Sequence, residues 1–399
     1  MSDLPIPSPQ RKATRQPTIH GHSQPEPIGL EYIASSLLTA GLQLHINSSN
    51  ELRVTAPGLD REFSLFSSTT AEYARVCEAA TAARSAGRIT IIGGYHACGS
   101  ANQTLDGPFD YIVTGEGEYA AVELIRSIAD GTGVGIGKVG SPGTSPRQFV
   151  ADRLVDLDAL PFPVRSEEHL GTYILYDLMY PTQSRQKNTA IVLASRGCAH
   201  ACDFCASETV WGRGIRFRSP GNVVQELQDL KSRFDTNTIV FIDQSLGQAK
   251  EWSLDLCGAI EEARLDLGWY HQSNLAINRD VLAAMARVGC KKIGFGLEGI
   301  SPRAMERMKP LNLQDTEAVN DLFDYCNSLG IFVKVYLMIG SPWETEEDIK
   351  EYMEHIGNIR ANEIKISYLT PFPGTRDWDR YSSHLLTKDW AHFDMTCAA

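Results

Sequence analysis

The chain has 399 residues, 43% apolar and 22% charged, with a formal net charge of −12, proportions ordinary for a globular protein with room for two substantial cores. That acidic balance argues against a nucleic-acid surface, which rests on clustered Lys and Arg, although Arg213, Arg216 and Arg218 form a local basic candidate. No apolar run approaches the ~20 residues needed to span a bilayer, and the polar start lacks a signal-peptide core, so the expectation is a cytoplasmic protein without a membrane partner.

Residues 1–26, rich in Pro, Ser and Gln, read as a disordered lead. From Gly29 onward Leu30, Ile33, Ala34, Leu37 and Leu38 fall at helical spacing, and the alternating run from Leu42 to Ile46 then reads as a strand. Between Ile46 and Phe63 the chain is short and shows no clear helix. Further strands are expected at Phe63 to Phe66, Ile89 to Ile92 and Tyr111 to Val113, with helices over 71–86 and 118–129. Alternating strands and helices imply a parallel, helix-flanked sheet. In such a sheet ligands sit at the carboxyl ends of strands, which makes Gly93, Gly94, Gly115 and Glu116 candidate cofactor-binding residues. The competing reading is that the glycines only permit tight turns.

The alternating glycines from Gly131 to Gly137 follow a helix and lack a Lys-Ser/Thr ending, so they read as a linker rather than a phosphate loop. The stretch Gly131 to Arg147 is the expected domain boundary, and Leu154 to Pro163 an extended connector. From residue 188 the strand-then-helix alternation resumes. The apolar run that starts at Thr189 and breaks at Gly197 reads as the first strand, and with Thr238 to Ile242, Trp269 to His271, Lys292 to Gly296, Phe332 to Ile339 and Glu363 to Leu369 it makes six, three quarters of an eight-stranded barrel. The expected division is thus a lead at 1–26, an α/β domain at 27–130, linker and connector at 131–187, a partial barrel at 188–376 and a tail at 377–399 containing Trp378 and Trp390.

The chemistry concentrates after the barrel strands. Cys198, Cys202 and Cys205 follow the first, Asp243 the second, Asn274 the third and Glu298 the fourth, and such loops converge on one mouth. The other cysteines, Cys77, Cys98, Cys257, Cys290, Cys326 and Cys397, are scattered singly and read as small buried hydrophobes. Structural zinc would need a fourth ligand, for which only His200 lies nearby. A catalytic thiol needs one activated cysteine rather than three. An iron–sulfur cluster on three thiolates, with one iron open, fits the count and the spacing. Asp243 and Asn274 could instead cap the helices that follow them.

The motif Cys198-Ala-His-Ala-Cys202-Asp-Phe204-Cys205 resembles the signature of the radical S-adenosylmethionine (SAM) superfamily. Arg218-Ser-Pro-Gly-Asn-Val-Val, Gly294-Phe-Gly-Leu-Glu298, Gly340-Ser-Pro-Trp-Glu-Thr and Thr370-Pro-Phe-Pro-Gly-Thr look like barrel motifs of the subfamily with an N-terminal cobalamin-binding-type domain. Ile91-Ile-Gly-Gly-Tyr-His96 and Asp110-Tyr-Ile-Val-Thr-Gly-Glu-Gly-Glu118 resemble that domain itself. The resemblance implies an α/β chain: a Rossmann-like domain, truncated where no opening strand is visible before Pro27, then a partial (β/α)6 TIM barrel. It further implies a 4Fe-4S cluster on Cys198, Cys202 and Cys205, with SAM on the open iron, Glu298 at the SAM ribose, and Asp243 and Asn274 as weaker cofactor contacts. The expected reaction is reductive cleavage of SAM to a 5′-deoxyadenosyl radical that abstracts hydrogen from a small-molecule substrate, with a flavodoxin or ferredoxin as electron donor. Cobalamin is the candidate second cofactor, and with it C-methylation the favoured outcome. The alternatives are a cobalamin-independent radical oxidation, elimination, epimerisation or cleavage, and a non-enzymatic metal-binding interaction protein. No Asp-x-His-x-x-Gly motif supplies an axial histidine, and His96 reads as a turn residue.

Overall fold

A computed structural model describes residues 27–48, 51–56, 61–132, 147–165, 189–300 and 316–396. The lead at 1–26, most of the glycine-rich linker and Cys397 lie outside them. The N-terminal sheet contains β1 (Gln43–Ser48), β2 (Glu51–Thr55), β3 (Phe63–Ser67), β4 (Ile89–Gly93), β5 (Tyr111–Thr114) and β6 (Arg147–Val150), hydrogen-bonded in that order. The stretch from β3 to β6 is parallel, as the strand–helix alternation predicts, whereas β2 runs antiparallel to both neighbours.

In one common doubly-wound order, 2-1-3-4-5, the opening strand lies between the second and third. Here β2 fills that slot, so a sheet whose first strand is not visible in the sequence is still continuous. It alternates inward and outward, with Leu52 and Val54 each only 1% exposed. Strand β6 extends the sheet past the expected domain end at residue 130, beyond the linker. Period-2 alternation splits the side chains between two faces. Leu65, Ile91 and Val113 pack beneath the helices Ile28–Thr39 and Gly117–Ala129, while Phe66, Ile92 and Ile112 meet the helix Tyr73–Ser85.

The second sheet consists of β7 (Thr189–Val192), β10 (Thr238–Phe241), β11 (Gly268–Ser273), β12 (Cys290–Glu298), β13 (Phe332–Ile339) and β14 (Glu363–Tyr368), all parallel and neighbours in chain order. A short ribbon of β8 (Ser195–Arg196) and β9 (Arg216–Phe217) brackets the cysteine loop. The helix Pro220–Phe234 starts with Ser219 as N-cap, accepting from the Asn222 N–H, and proline in its first turn, as the Ser-Pro-Gly-Asn motif dictates.

Six strands leave an open barrel, and the N-terminal half fills part of it. Ile191, Val240 and Tyr270, on the strand faces turned away from the helices, pack against Leu157 and Leu160 of the connector and against Ile28 and Tyr32 of the first helix. A buried ionic group ties the same elements. Glu226 of the barrel accepts from Arg165 of the connector at 2.6 Å and from Arg218, while Glu31 of the first helix lies 3.9 Å from Arg165. Arg218, like Arg216 below, is therefore a buried partner rather than part of an exposed basic patch. Removing one member of such a group strands the opposite charges away from water, so Glu226→Ala should cost about 3–5 kcal/mol. The measurement is the free energy of urea unfolding, and a loss under about 1 kcal/mol would show that Arg165 and Arg218 find other partners.

Candidate active site

The ends of the barrel strands open into one cavity of about 520 Å³, and the N-terminal domain contributes Tyr95 to its wall. Cys198, Cys202 and Cys205 line it together with Asp243, Asn274 and Glu298, so all six barrel residues singled out from sequence reach one place.

The cysteine loop is held from three directions. At its start, Gly197 adopts φ +88°, and a Cβ there would stand 2.2 Å from the Gly214 carbonyl oxygen, so only glycine fits. The Gly197 N–H donates to Gln244 Oε1 at 3.0 Å, and the Gly214 N–H donates to the Cys198 carbonyl at 3.1 Å. On the outer side Arg376 donates to Asp203 at 2.9 Å and to the Ala201 carbonyl at 2.7 Å, with Arg380 closing on the same carboxylate. On the inner side His200 Nε2 meets Asn274 Nδ2 at 3.1 Å. Asn274 accepts from the Ala276 N–H at 2.8 Å, which holds the turn after its strand, whereas the helix Arg279–Arg287 that follows is capped by Asn278.

None of the three cysteines is in a disulfide; the His200 N–H points at Cys198 Sγ from 3.4 Å, and Cys205 Sγ donates to Ser207 Oγ at 3.2 Å. Among the described residues no three His, Cys, Asp or Glu side chains converge closely enough to hold a single metal ion. Three soft thiols spaced around a cavity wall suit a larger inorganic centre with a position left open, and the cavity continues from them to Glu298. Cluster and SAM therefore fit the residues present.

Glu298 ends β12 at φ +65°, and the Gly299 N–H donates to the Leu297 carbonyl at 2.8 Å, closing a three-residue turn around it. A γ-turn with positive φ is rare and strained, more so for a residue with a Cβ. The register with β13 breaks between Gly296 and Glu298, which re-aims the strand end. The outcome is a buried carboxylate turned into the cavity. Asp243 differs. It is 1% exposed and accepts from Ser195 Oγ at 2.5 Å and the Ala194 N–H at 3.3 Å, bracing the strand that carries the cysteines. Burial pushes its carboxyl up to about 6, against those hydrogen bonds.

The four candidates from the N-terminal domain are occupied by protein. A Cβ on Gly94 would stand 2.8 Å from Ser67 Oγ, one on Gly115 3.1 Å from the Ala151 carbonyl, and one on Gly93 3.4 Å from the Val113 carbonyl, so these glycines serve close packing at strand ends. Glu116 accepts from Arg196 at 2.9 Å and Arg216 at 2.5 Å. His96 is buried, stacked on Tyr73 at 4.0 Å, and burial lowers its imidazole to about 4, leaving it neutral. For cobalamin the fit is one of placement: Tyr95, directly after Gly93-Gly94, puts the ligand edge of this domain on the cavity that holds the cysteines.

Sequence reasoning missed Tyr95, Gln244, Tyr336 and Lys365 on the cavity wall. A signal was present for two of them. Counting in twos back from Glu298 gives Gly296 and Gly294, and the neighbouring strands continue that inner face with Tyr336 and with Lys365 and Ser367.

Residues 192–356 match the model of the radical SAM superfamily. The matched segment contains Cys198, Cys202 and Cys205. The chain is similar to an uncharacterized methyltransferase of Pyrococcus horikoshii, 26% identical over 92% of this chain and 81% of that protein, and to the hopanoid C-3 methylase of Methylococcus capsulatus, 28% identical over 93% and 71%. Its fold is that of the radical SAM methyltransferase TsrM from Kitasatospora setae. The structure of TsrM with cobalamin and a [4Fe-4S] cluster bound gives a TM-score of 0.63 at 17% identity, covering 79% of this chain and 64% of that one. The structure with tryptophan and aza-SAM bound gives 0.68 at 15%, covering 91% and 74%. The radical SAM barrel and the Rossmann-like domain before it are thus both present, the latter with its antiparallel β2.

Linkage gives a test of the Asp243 placement. Its folded pKa lies above that of the unfolded chain, so its stabilising contribution is full at low pH and is lost as pH rises through about 6. Relative to Asp243→Asn, the wild type should gain about 1–2 kcal/mol between pH 7.5 and pH 5. Parallel urea titrations at the two pH values measure it, and a flat difference would mean that Asp243 titrates normally.

Proposed function

We propose that this protein is a radical SAM enzyme that methylates a carbon of a small-molecule substrate with the help of cobalamin. The observation that carries the reading is the shared cavity: three cysteines outside any disulfide, a strained inward-turned Glu298 and Tyr95 of the N-terminal domain on one wall system. Cys198, Cys202 and Cys205 would hold the 4Fe-4S cluster, Glu298 the SAM ribose, and Asn274 the inner side of the cluster loop through His200. When bound, the cluster and SAM would supply hydrogen-abstracting radical chemistry, and cobalamin a transferable methyl group, to a substrate held in this cavity.

The chain's own contribution is positional. Asp243 and Gln244 fix the strand end and the turn at Gly197, so the thiols are presented from a braced loop. The turn at Leu297–Gly299 spends backbone strain to aim one acceptor. Walls of both halves line the site, and a carbon radical there requires that water and oxygen be kept out. A cytoplasmic location, where thiols stay reduced, and delivery of the electron by a flavodoxin or ferredoxin complete the reading. Among the described residues no helix is long and apolar enough to cross a membrane.

One observation favours a second reading, radical chemistry without cobalamin. The Trp390 ring lies edge-on to His96 at 5.3 Å, so the C-terminal segment covers the N-terminal domain beside Gly94, and Met395 reaches the cavity wall. Titration with hydroxocobalamin, followed in the visible spectrum, separates the two: micromolar binding supports methyl transfer, and its absence favours the second.

For the shared core of both readings, anaerobic reconstitution should give about four irons and four sulfides per chain. Cys202→Ala should abolish both the cluster and dithionite-driven release of 5′-deoxyadenosine. Glu298→Ala should retain the cluster and weaken SAM binding about tenfold, the ~1.4 kcal/mol of one charged hydrogen bond. A colourless protein that takes up one zinc would overturn the enzyme reading.

A further inference from the structure

Arg196 lies two residues before Cys198 and is 2% exposed. Its two terminal nitrogens reach across to the N-terminal domain: Nη1 donates to Glu116 at 2.9 Å and Nη2 to Glu118 at 2.5 Å, both carboxylates being buried. Arg216, its partner across the β8–β9 ribbon, donates to the other oxygen of Glu116 at 2.5 Å. Two arginines and two glutamates thus make a neutral, water-excluded group. Tyr32 and Trp211 flank the Arg196 guanidinium, their ring centroids 5.1 and 4.9 Å away, and the Trp211 Nε1–H donates to the Tyr95 hydroxyl at 3.0 Å. The turn Gly115-Glu116-Gly117-Glu118, which sequence marks as a cofactor turn, therefore spends its acids on the ribbon carrying the first cysteine.

We infer that Arg196, clamped by Glu116 and Glu118, is a positioning residue for the cluster loop, so that the N-terminal domain sets the geometry of the centre held by Cys198. The inference rests on the cluster reading above. A planar guanidinium between two carboxylates fixes orientation as well as distance, and a single ammonium cannot replace it. Gly197 turns the chain immediately after this clamp at φ +88°, and the Gly214 N–H ties the turn to the cysteine by donating to the Cys198 carbonyl at 3.1 Å. A change in the clamp must then pass to Cys198. Partners behind metal ligands commonly influence affinity or activity by about 10–100-fold.

The test uses the full chain reconstituted anaerobically. Glu118→Gln keeps the shape and an acceptor oxygen while removing the charge. It should load as much iron as wild type, shift the EPR spectrum of the dithionite-reduced cluster in the presence of SAM, and weaken SAM binding about tenfold by equilibrium dialysis. Arg196→Lys should produce the same shift. Glu226→Gln, an interdomain pair away from the cysteine loop, serves as the comparison and should leave the spectrum unchanged. Wild-type spectra and SAM affinity in both clamp variants at equal iron content overturn the inference, as does an equal shift in Glu226→Gln, which would mean general loosening between domains. Should Glu118→Gln lose its cooperative melt, Arg196→Lys alone decides. Failure of the wild-type chain to take up a cluster is a separate outcome, and it removes the enzyme reading rather than the clamp.

Discussion

A guanidinium that water cannot reach must be neutralised by the protein or not be buried at all, and much of this molecule follows from that constraint. Arg196 and Arg216 take Glu116 and Glu118, while Arg165 and Arg218 take Glu226, with Glu31 near Arg165. In the first group the acids and bases come from different halves of the chain. In the second, Arg165 of the connector and Glu31 of the first helix join a barrel pair, Arg218 and Glu226. The Rossmann-like domain and the barrel are consequently parts of one folded unit, with the cysteine loop between the two ionic groups.

The same interdependence explains how six strands suffice. A closed eight-stranded barrel fills its interior with its own side chains. Here Leu157, Leu160, Ile28 and Tyr32 cover the apolar inner residues of β7, β10 and β11. The β12–β14 side is left polar and open: Lys292 and Lys334 share Glu363 low in the barrel, and Gly294 and Gly296 carry no side chain above. One wall is packed by the N-terminal half, and the cavity lies toward the opposite side, where Gly296, Tyr336, Lys365 and Ser367 line it.

Local pattern carried far in this chain, and its failures have physical causes. Strands and helices from Phe63 onward lie within a few residues of their expected places, because period-2 and helical spacing report burial on one face. Strand β2 escaped notice. It is five residues long, and its antiparallel place in a mostly parallel sheet is a pairing choice that sequence spacing does not encode. Strand β6 was hidden behind the glycine-rich linker. At the site, the three cysteines and Glu298 were expected to share a mouth because each follows a strand in a parallel sheet, and all four line one cavity. Glu116 was legible as important but not in its role, since a carboxylate in a strand-end turn can face a ligand or a buried arginine equally well.

The sequence by itself determined the chemistry: three thiols spaced for one centre, a strand-end carboxylate, and the alternation that gathers them at one mouth. Those features depend on residues close in the chain or on a simple period. Tertiary structure alone decided which charges meet. Arg196 finds Glu116 and Glu118, some eighty residues away, because the β8–β9 ribbon packs on the turn after β5. The strain at Glu298 and the filling of the open barrel were decided in the same way, because buried charge, backbone strain and cavity shape arise only once distant segments exclude water together.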